Sequence, residues 1–148
     1  MSRAVPGTGR LLGVDYGAVR VGLALSDPER RLATPYRMYE RHTEEEDAAF
    51  FRELVTRERV QGIVIGLPRL MRGAEGVSAE RARRFGDWLA HVTGLPVVYW
   101  DERLTTRAAE RALWQAGLPH KQRKARRDKV AAAILLQNYL DAGCPFGP

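Results

Sequence analysis

Hydrophobic positions come first as a nearly unbroken run and then in strict alternation, with one carboxylate between the two patterns. Leu11, Leu12 and Val14 lead into Asp15, after which Val19, Val21, Leu23 and Leu25 alternate with small or polar residues. The first pattern predicts a buried strand from Arg10 to Tyr16, the second a neighbouring strand, and Gly17-Ala18 the turn joining them. Arg31 to Tyr39 predicts a third strand, which Pro35 pushes to a sheet edge because proline has no N–H to give to a ladder. Three strands in succession, without room for a crossover, form an antiparallel meander.

The period then lengthens. Thr43 followed by Glu46 has the form of a capping box, and Phe50, Phe51, Leu54 and Val55 supply the apolar face of the helix behind it. The acidic stretch Glu44 to Asp47 complements the dipole of that helix and has no catalytic role. Gln61 to Leu67 is a short apolar run expected as a buried strand, stopped by Pro68. Leu70 to Val77 is loop-like. Ala82, Phe85, Trp88, Leu89 and Val92 then recur at helical spacing up to Gly94, and Val97 to Trp100 follows as a strand. Thr105 or Thr106 caps a further helix ending at Gly117. A last helix, from about Arg126 to Ala142, carries Ala131, Leu135 and Tyr139 on one stripe.

These elements predict an α/β fold: a mixed five-stranded sheet, three strands antiparallel and two parallel, with helices on both faces. Right-handed crossovers through the two middle helices set the strands ending near Leu67 and Trp100 parallel to the first. All three then end along one edge of the sheet, where ligands sit in open α/β arrangements. The length of 148 residues fits one domain, 1–148, with an N-terminal extension to Gly9 and a C-terminal tail, 143–148.

Charge narrows the partner. With 24 Lys+Arg against 18 Asp+Glu the net charge is +6, which favours an anionic partner, nucleic acid first. No apolar stretch has the length of a signal peptide core or a membrane span, so a cytoplasmic protein without membrane partners is expected. Cys144 is the single cysteine and cannot form an internal disulfide, while His42, His91 and His120 lack zinc-ligand spacing.

The candidate chemistry is acidic. Asp15 ends the first strand, and Asp101 and Glu102 follow the last one, on the same edge. Asp128 precedes Ala131, Ala132, Leu135 and Tyr139 by three, four, seven and eleven residues, which places it on the buried stripe of the final helix. Carboxylates crowded in this way repel one another unless a divalent cation neutralises them. Ligation by oxygen alone favours Mg²⁺ or Mn²⁺ over zinc. Two such ions held about 3.5 to 4 Å apart promote in-line displacement at a phosphodiester. The basic run His120 to Arg127, with Lys121, Arg123 and Lys124 at its centre, is expected to be exposed and to contact phosphates together with Arg81, Arg83 and Arg84. Tyr16 and Trp100 are expected to pack in the core.

Four segments carry a resemblance. D-Y-G-A-V-R-V-G at Asp15 to Gly22, I-V-I-G-L-P at Ile63 to Pro68, D-E-R-L-T-T at Asp101 to Thr106 and D-K-V-A-A-A at Asp128 to Ala133 resemble the signatures of the YqgF/RuvX family over about Leu11 to Leu140. Members have the RNase H-like fold and are described as pre-16S rRNA processing nucleases or Holliday junction resolvases. The resemblance implies that Asp15, Glu102 and Asp128 are the metal-binding catalytic acids. It also implies that Gly17, Arg20, Arg103, Thr105 and Thr106 line the substrate side, where guanidinium pairs well with phosphate and the threonines also cap a helix. The chain departs from the family pattern at Leu70 and Arg72, where an Asn and an acidic or amide residue are usual, and at Val19, where Lys is usual.

The expected function is therefore metal-dependent hydrolysis of phosphodiester bonds in structured nucleic acid, pre-16S rRNA first, leaving a 5′-phosphate. The alternatives are resolution of branched DNA junctions, for which a homodimer would suit the symmetry, a non-catalytic nucleic-acid-binding module, and a relative of the actin-like ATPases. The last bind nucleotide between two domains of this general kind, whereas this length supplies one.

Overall fold

The computed structural model describes residues 8–68, 76–101 and 120–145. In chain order the elements are β1 (Arg10–Asp15), β2 (Arg20–Ser26), β3 (Ala33–Glu40), α1 (Glu44–Arg57), β4 (Val60–Leu67), α2 (Val77–Thr93), β5 (Val97–Asp101) and α3 (His120–Asp141). The strands form one sheet in the order β3-β2-β1-β4-β5. β1 pairs antiparallel with β2, and β2 with β3, while β1 pairs parallel with β4, and β4 with β5. This is the expected meander with two parallel strands added through helical crossovers. The segment expected as loop before Gly76 and the helix expected between Thr105 and Gly117 lie outside the described residues.

Pro35 stands on the edge strand, as its missing N–H requires, and the β2/β3 register shifts beside it, between Leu23 and Ala24. Thr43 caps α1, its hydroxyl accepting the N–H of Glu46 at 3.1 Å. Gly94 closes α2 in the left-handed region at φ 72°, a conformation glycine adopts without a side-chain penalty.

The alternation of β1 divides the core between the two faces. Leu12 and Val14 pack with Leu23, Ile63, Ile65 and Leu67 beneath α1 and α2, where Phe51, Leu54, Phe85 and Leu89 complete the layer. Leu11 faces the other way, with Ala24, Val64 and Val98, onto Ala132, Leu136, Tyr139 and Leu140 of α3. Helices therefore cover both faces, as the sheet's two-sided burial demands. Trp100 packs edge-on against Tyr139 on the α3 side, with ring centroids 5.5 Å apart.

Two expectations are corrected. α3 starts at His120, about six residues before the predicted start near Arg126. The basic run is thus the opening of the helix and not a segment ahead of it. Lys, Gln, Arg and Ala are all good helix formers, so the charge that suggested a solvated stretch is compatible with continuous helix. Asp47, assigned only a dipole role, is fully buried. It accepts hydrogen bonds from the Tyr39 hydroxyl at 2.7 Å, the His42 N–H at 2.9 Å and Arg41 Nε at 3.4 Å, tying β3 and the following turn to α1.

Candidate active site

Asp15 is the last residue of β1, the central strand, and it is half-buried. Strand parity puts it on the face of Leu11 and Gly13, toward α3. Small residues create the space there. A Cβ on Gly13 would stand 2.8 Å from Cβ of Leu136 and 3.1 Å from the carbonyl oxygen of Ala132, so glycine is what lets α3 lie this close to β1. Gly22, paired with Asp15 across β1/β2, leaves a gap beside the carboxylate. A Cβ there would sit 3.5 Å from Cβ of Asp15 and 3.7 Å from Cβ of Ala132, in ordinary contact.

The direction of α3 is fixed by its far end. Gln137 accepts the N–H of Ala33 at 2.9 Å and donates to the carbonyl of Arg31 at 3.0 Å, alongside the start of β1, whereas Ala132 stands beside Gly22 and Gly13. The helix therefore climbs toward the carboxyl end of β1 as it is followed back to its N-terminus. Position 128, one helical turn before Ala132, falls on the same stripe and toward the Asp15 end. Positions 121, 123 and 124, the expected phosphate-binding Lys121, Arg123 and Lys124, occupy the first turns of α3.

Of the two acids that follow the last strand in sequence, Asp101 pairs in parallel register with Leu67, which packs beneath α1 and α2. In a parallel ladder, paired residues share a face, so Asp101 belongs to the face opposite Asp15. Glu102, Arg103, Thr105 and Thr106 lie outside the described residues.

Arg20 opens β2, shares parity with Gly22 and is exposed, pairing across the strands with Glu40. It is brought to the rim of the Asp15 face. Gly17 has a local role: a Cβ there would lie 2.3 Å from the carbonyl oxygen of Arg20, so the chain can turn from β1 into β2 only if residue 17 lacks a side chain.

Asp15 offers hard carboxylate oxygens of the kind Mg²⁺ and Mn²⁺ take, and among the described residues no group of three acidic, His or Cys side chains surrounds it.

Tyr16 continues the chain on the opposite face. Its ring packs against Phe85 with centroids 4.8 Å apart, and Arg41 lies over both rings, 5.8 Å from Tyr16 and 5.2 Å from Phe85. These residues line a cavity of about 470 Å³ that the sequence did not reveal, because its walls come from separate elements. The only advance signal was the spacing of Arg81, Arg84, Phe85 and Trp88, at i, i+3, i+4 and i+7 on one helical face.

Comparison with known proteins adds three findings. A family model described as "RuvX: Holliday junction resolvase" matches residues 9–142. A protein of Rhodopirellula baltica named "Putative pre-16S rRNA nuclease" is 43% identical over 137 residues, covering 93% of this chain and 79% of its own. One of the same name from Cereibacter sphaeroides is 47% identical over 138 residues, covering 93% and 86%. Among solved structures, Thermus thermophilus RuvC in complex with a Holliday junction substrate matches with a TM-score of 0.57 at 18% identity, over 92% of this chain and 96% of that one. Fowlpox virus resolvase with Holliday junction DNA matches with a TM-score of 0.56 at 8% identity, over 92% and 99%. At these identities the structural likeness is one of fold, and it is the RNase H-like fold of the resolvases.

Proposed function

We propose, on the premise that this chain belongs to the RuvX family, that it is a metal-dependent endonuclease hydrolysing phosphodiester bonds in structured nucleic acid, with pre-16S rRNA the first candidate substrate. The observation that carries the reading is the position of Asp15: half-buried at the carboxyl end of the central strand, beside Gly22, with α3 rising toward it. The names of the Rhodopirellula and Cereibacter relatives support ribosomal RNA over branched DNA. The family description keeps junction DNA as the second substrate to be tried.

In this reading Asp15, Glu102 and Asp128 hold the metal. A bound divalent ion supplies water activation and charge neutralisation at the leaving oxygen. Asp15 contributes an oxygen donor from a rigid strand end, which fixes its position better than a loop would. For Asp128 the support is helical arithmetic, one turn beyond Ala132. For Glu102 it is the resemblance of the D-E-R-L-T-T segment, Asp101 to Thr106, to the family's signature. Arg20 at the rim would clamp a substrate phosphate, and Arg103 with the early α3 cations would extend that contact. Thr105 and Thr106 complete the substrate side.

Asp15→Asn keeps the size of the side chain and removes its charge. It should reduce Mn²⁺-dependent cleavage to background while leaving nucleic-acid binding nearly intact, measured on precursor 16S rRNA, unstructured single strands and four-way junctions. Cleavage at the wild-type rate would remove Asp15 from the mechanism, and the substrate cut fastest decides between RNA and junction DNA.

A further inference from the structure

We infer that the cavity behind Asp15 is a seat for one unpaired nucleotide of the bound strand, its base against the aromatic wall and its phosphates against arginine. The cavity is lined by Tyr16, Arg41, Arg81, Arg84, Phe85 and Trp88, with Ala18 and Glu44 at its margin. It is an open depression of about 470 Å³. Half-buried Tyr16 and Trp88 flank the buried Phe85, with ring centroids 4.8 and 5.5 Å from it, so the ring surface reaching the cavity is that of Tyr16 and Trp88. Every base has a π-face, so such a wall accepts a base without regard to sequence.

The cations are arranged for the rest of the nucleotide. Arg41 is held against the rings and bonded to Asp47 and to the Tyr16 hydroxyl, so it is a fixed part of the wall. Arg84 is exposed and paired with Glu80 at 2.8 Å, an i,i+4 contact that solvent screens and a phosphate can displace. Arg81, one turn earlier, is exposed and has no ion-pair partner among the described residues. Glu44 is occupied by the Trp88 indole N–H at 3.0 Å, which fixes the indole plane. The cavity thus offers a rigid aromatic and cationic wall with two adaptable cations at its mouth.

Its location ties it to the chemistry. Tyr16 follows Asp15 directly, and adjacent strand residues point to opposite faces. A strand whose scissile phosphate lies at Asp15 need cross only the exposed turn Ala18–Val19 to bring a neighbouring base into the cavity. Paired bases are stacked and cannot enter, so the seat selects substrates unpaired next to the cleavage position. This inference rests on the nuclease reading for its orientation, although the binding itself can be measured without any cleavage.

The test compares the wild-type chain, Arg81→Ala/Arg84→Ala and Asp15→Asn, in binding of a labelled short single-stranded RNA by fluorescence anisotropy across a salt series. Both arginines are exposed helix positions, and unchanged thermal unfolding verifies that the double variant folds. Loss of two phosphate contacts should weaken binding about tenfold and flatten the log–log salt slope by about 1.4. A blunt duplex should bind the double variant as it binds wild type, and an abasic strand of equal charge should bind wild type about tenfold more weakly than the base-bearing strand. Equal binding of the double variant and wild type, equal loss on single strand and duplex, or full affinity for the abasic strand would each overturn the seat. Absence of Asp15-dependent cleavage with arginine-dependent binding preserved would overturn the nuclease reading alone. Asp15-dependent cleavage with binding unaltered in the double variant would overturn the seat alone.

Discussion

The two faces of the sheet meet at the end of β1 and are closed by opposite means. On the α1/α2 side, rings fill the space: Tyr39 stacks on Phe50 at 3.9 Å, Phe51 meets Phe85 and Trp88 edge-on, and Tyr16 completes the row. On the α3 side the layer nearest Asp15 is made of Gly13, Gly22 and Ala132. On the ring side the aromatic side chains fill the space beside the cavity, while Gly86 lets α2 approach Ile65 and Tyr99 of the sheet. Small residues draw the helix backbone in, and Gly22 leaves room for no more than a methyl beside Cβ of Asp15. The same strand end therefore presents aromatic and cationic side chains on one face and an acid among small residues on the other.

The comparison can be broken hardest on the ring side, at Asp47, the buried charge among its described residues. Asp47→Ala leaves the Tyr39 hydroxyl, the His42 N–H and the Arg41 guanidinium without their common acceptor. Removing one partner from such a network costs about 3 to 5 kcal/mol, read as a lower urea midpoint. The pH dependence follows from the same contacts. Burial alone would raise the Asp47 carboxyl, but the His42 N–H, the Tyr39 hydroxyl and Arg41 outweigh it and hold it below its ordinary value. A carboxyl depressed in the folded state stabilises above its unfolded pKa, and that contribution is lost as pH falls through the folded one. Wild type should therefore lose stability below about pH 4, where Asp47→Ala has a flatter acid limb. Tyr39 behaves in the opposite sense. Burial first, then its bond to Asp47, pushes the phenol up to about 12, so its contribution holds below about pH 10 and is lost as the pH rises from there toward the folded value.

On the small-residue side the corresponding break is Gly13→Ala. The added methyl meets Cβ of Leu136 at 2.8 Å and the Ala132 carbonyl at 3.1 Å, neither of them the free end of a flexible side chain. α3 must move outward, at a cost of about 1 to 3 kcal/mol. Because that movement carries position 128 away from Asp15, cleavage should fall further than the stability loss explains. Rates measured well below the unfolding midpoint separate the two effects.

What the sequence disclosed follows how far each interaction reaches along the chain. Thr43 and Glu46 lie within one turn, and Pro35 acts through its own missing N–H, so the capped start of α1 and the edge position of β3 were legible. The parallel setting of β4 and β5 followed from helical crossovers, and the strand-end position of Asp15 from its place at the end of the first run. The opening of α3 was obscured because its residues are both strongly charged and good helix formers, and composition cannot separate those readings. Asp47 was underrated because its three partners, Tyr39, Arg41 and His42, all precede α1, and its burial is tertiary. The separation of Asp101 from Asp15 depends on the register with Leu67, and the cavity depends on Arg41 and Arg81 meeting across two elements. Neither is written in any local pattern.

The smallest expected change in stability comes from the glycine that neighbours the acid. At Gly22 an added Cβ meets Sδ of Met38 at 3.4 Å, Cβ of Asp15 at 3.5 Å and Cβ of Ala132 at 3.7 Å, all ordinary contacts, and alanine also loses less backbone entropy on folding than glycine. Gly22→Ala should therefore shift the unfolding midpoint by the equivalent of about 0.5 kcal/mol or less, in either direction. The methyl nevertheless lies against Cβ of Asp15 and restricts that side chain in the proposed metal site. Cleavage should need a higher Mn²⁺ concentration for half-maximal rate, with single-strand binding unchanged because the aromatic wall is on the other face. If Gly22→Ala instead lowered stability as much as Gly13→Ala, position 22 would be part of the helix packing. The division of the α3 face into a tight half at Gly13 and a looser half at Gly22 would then be lost.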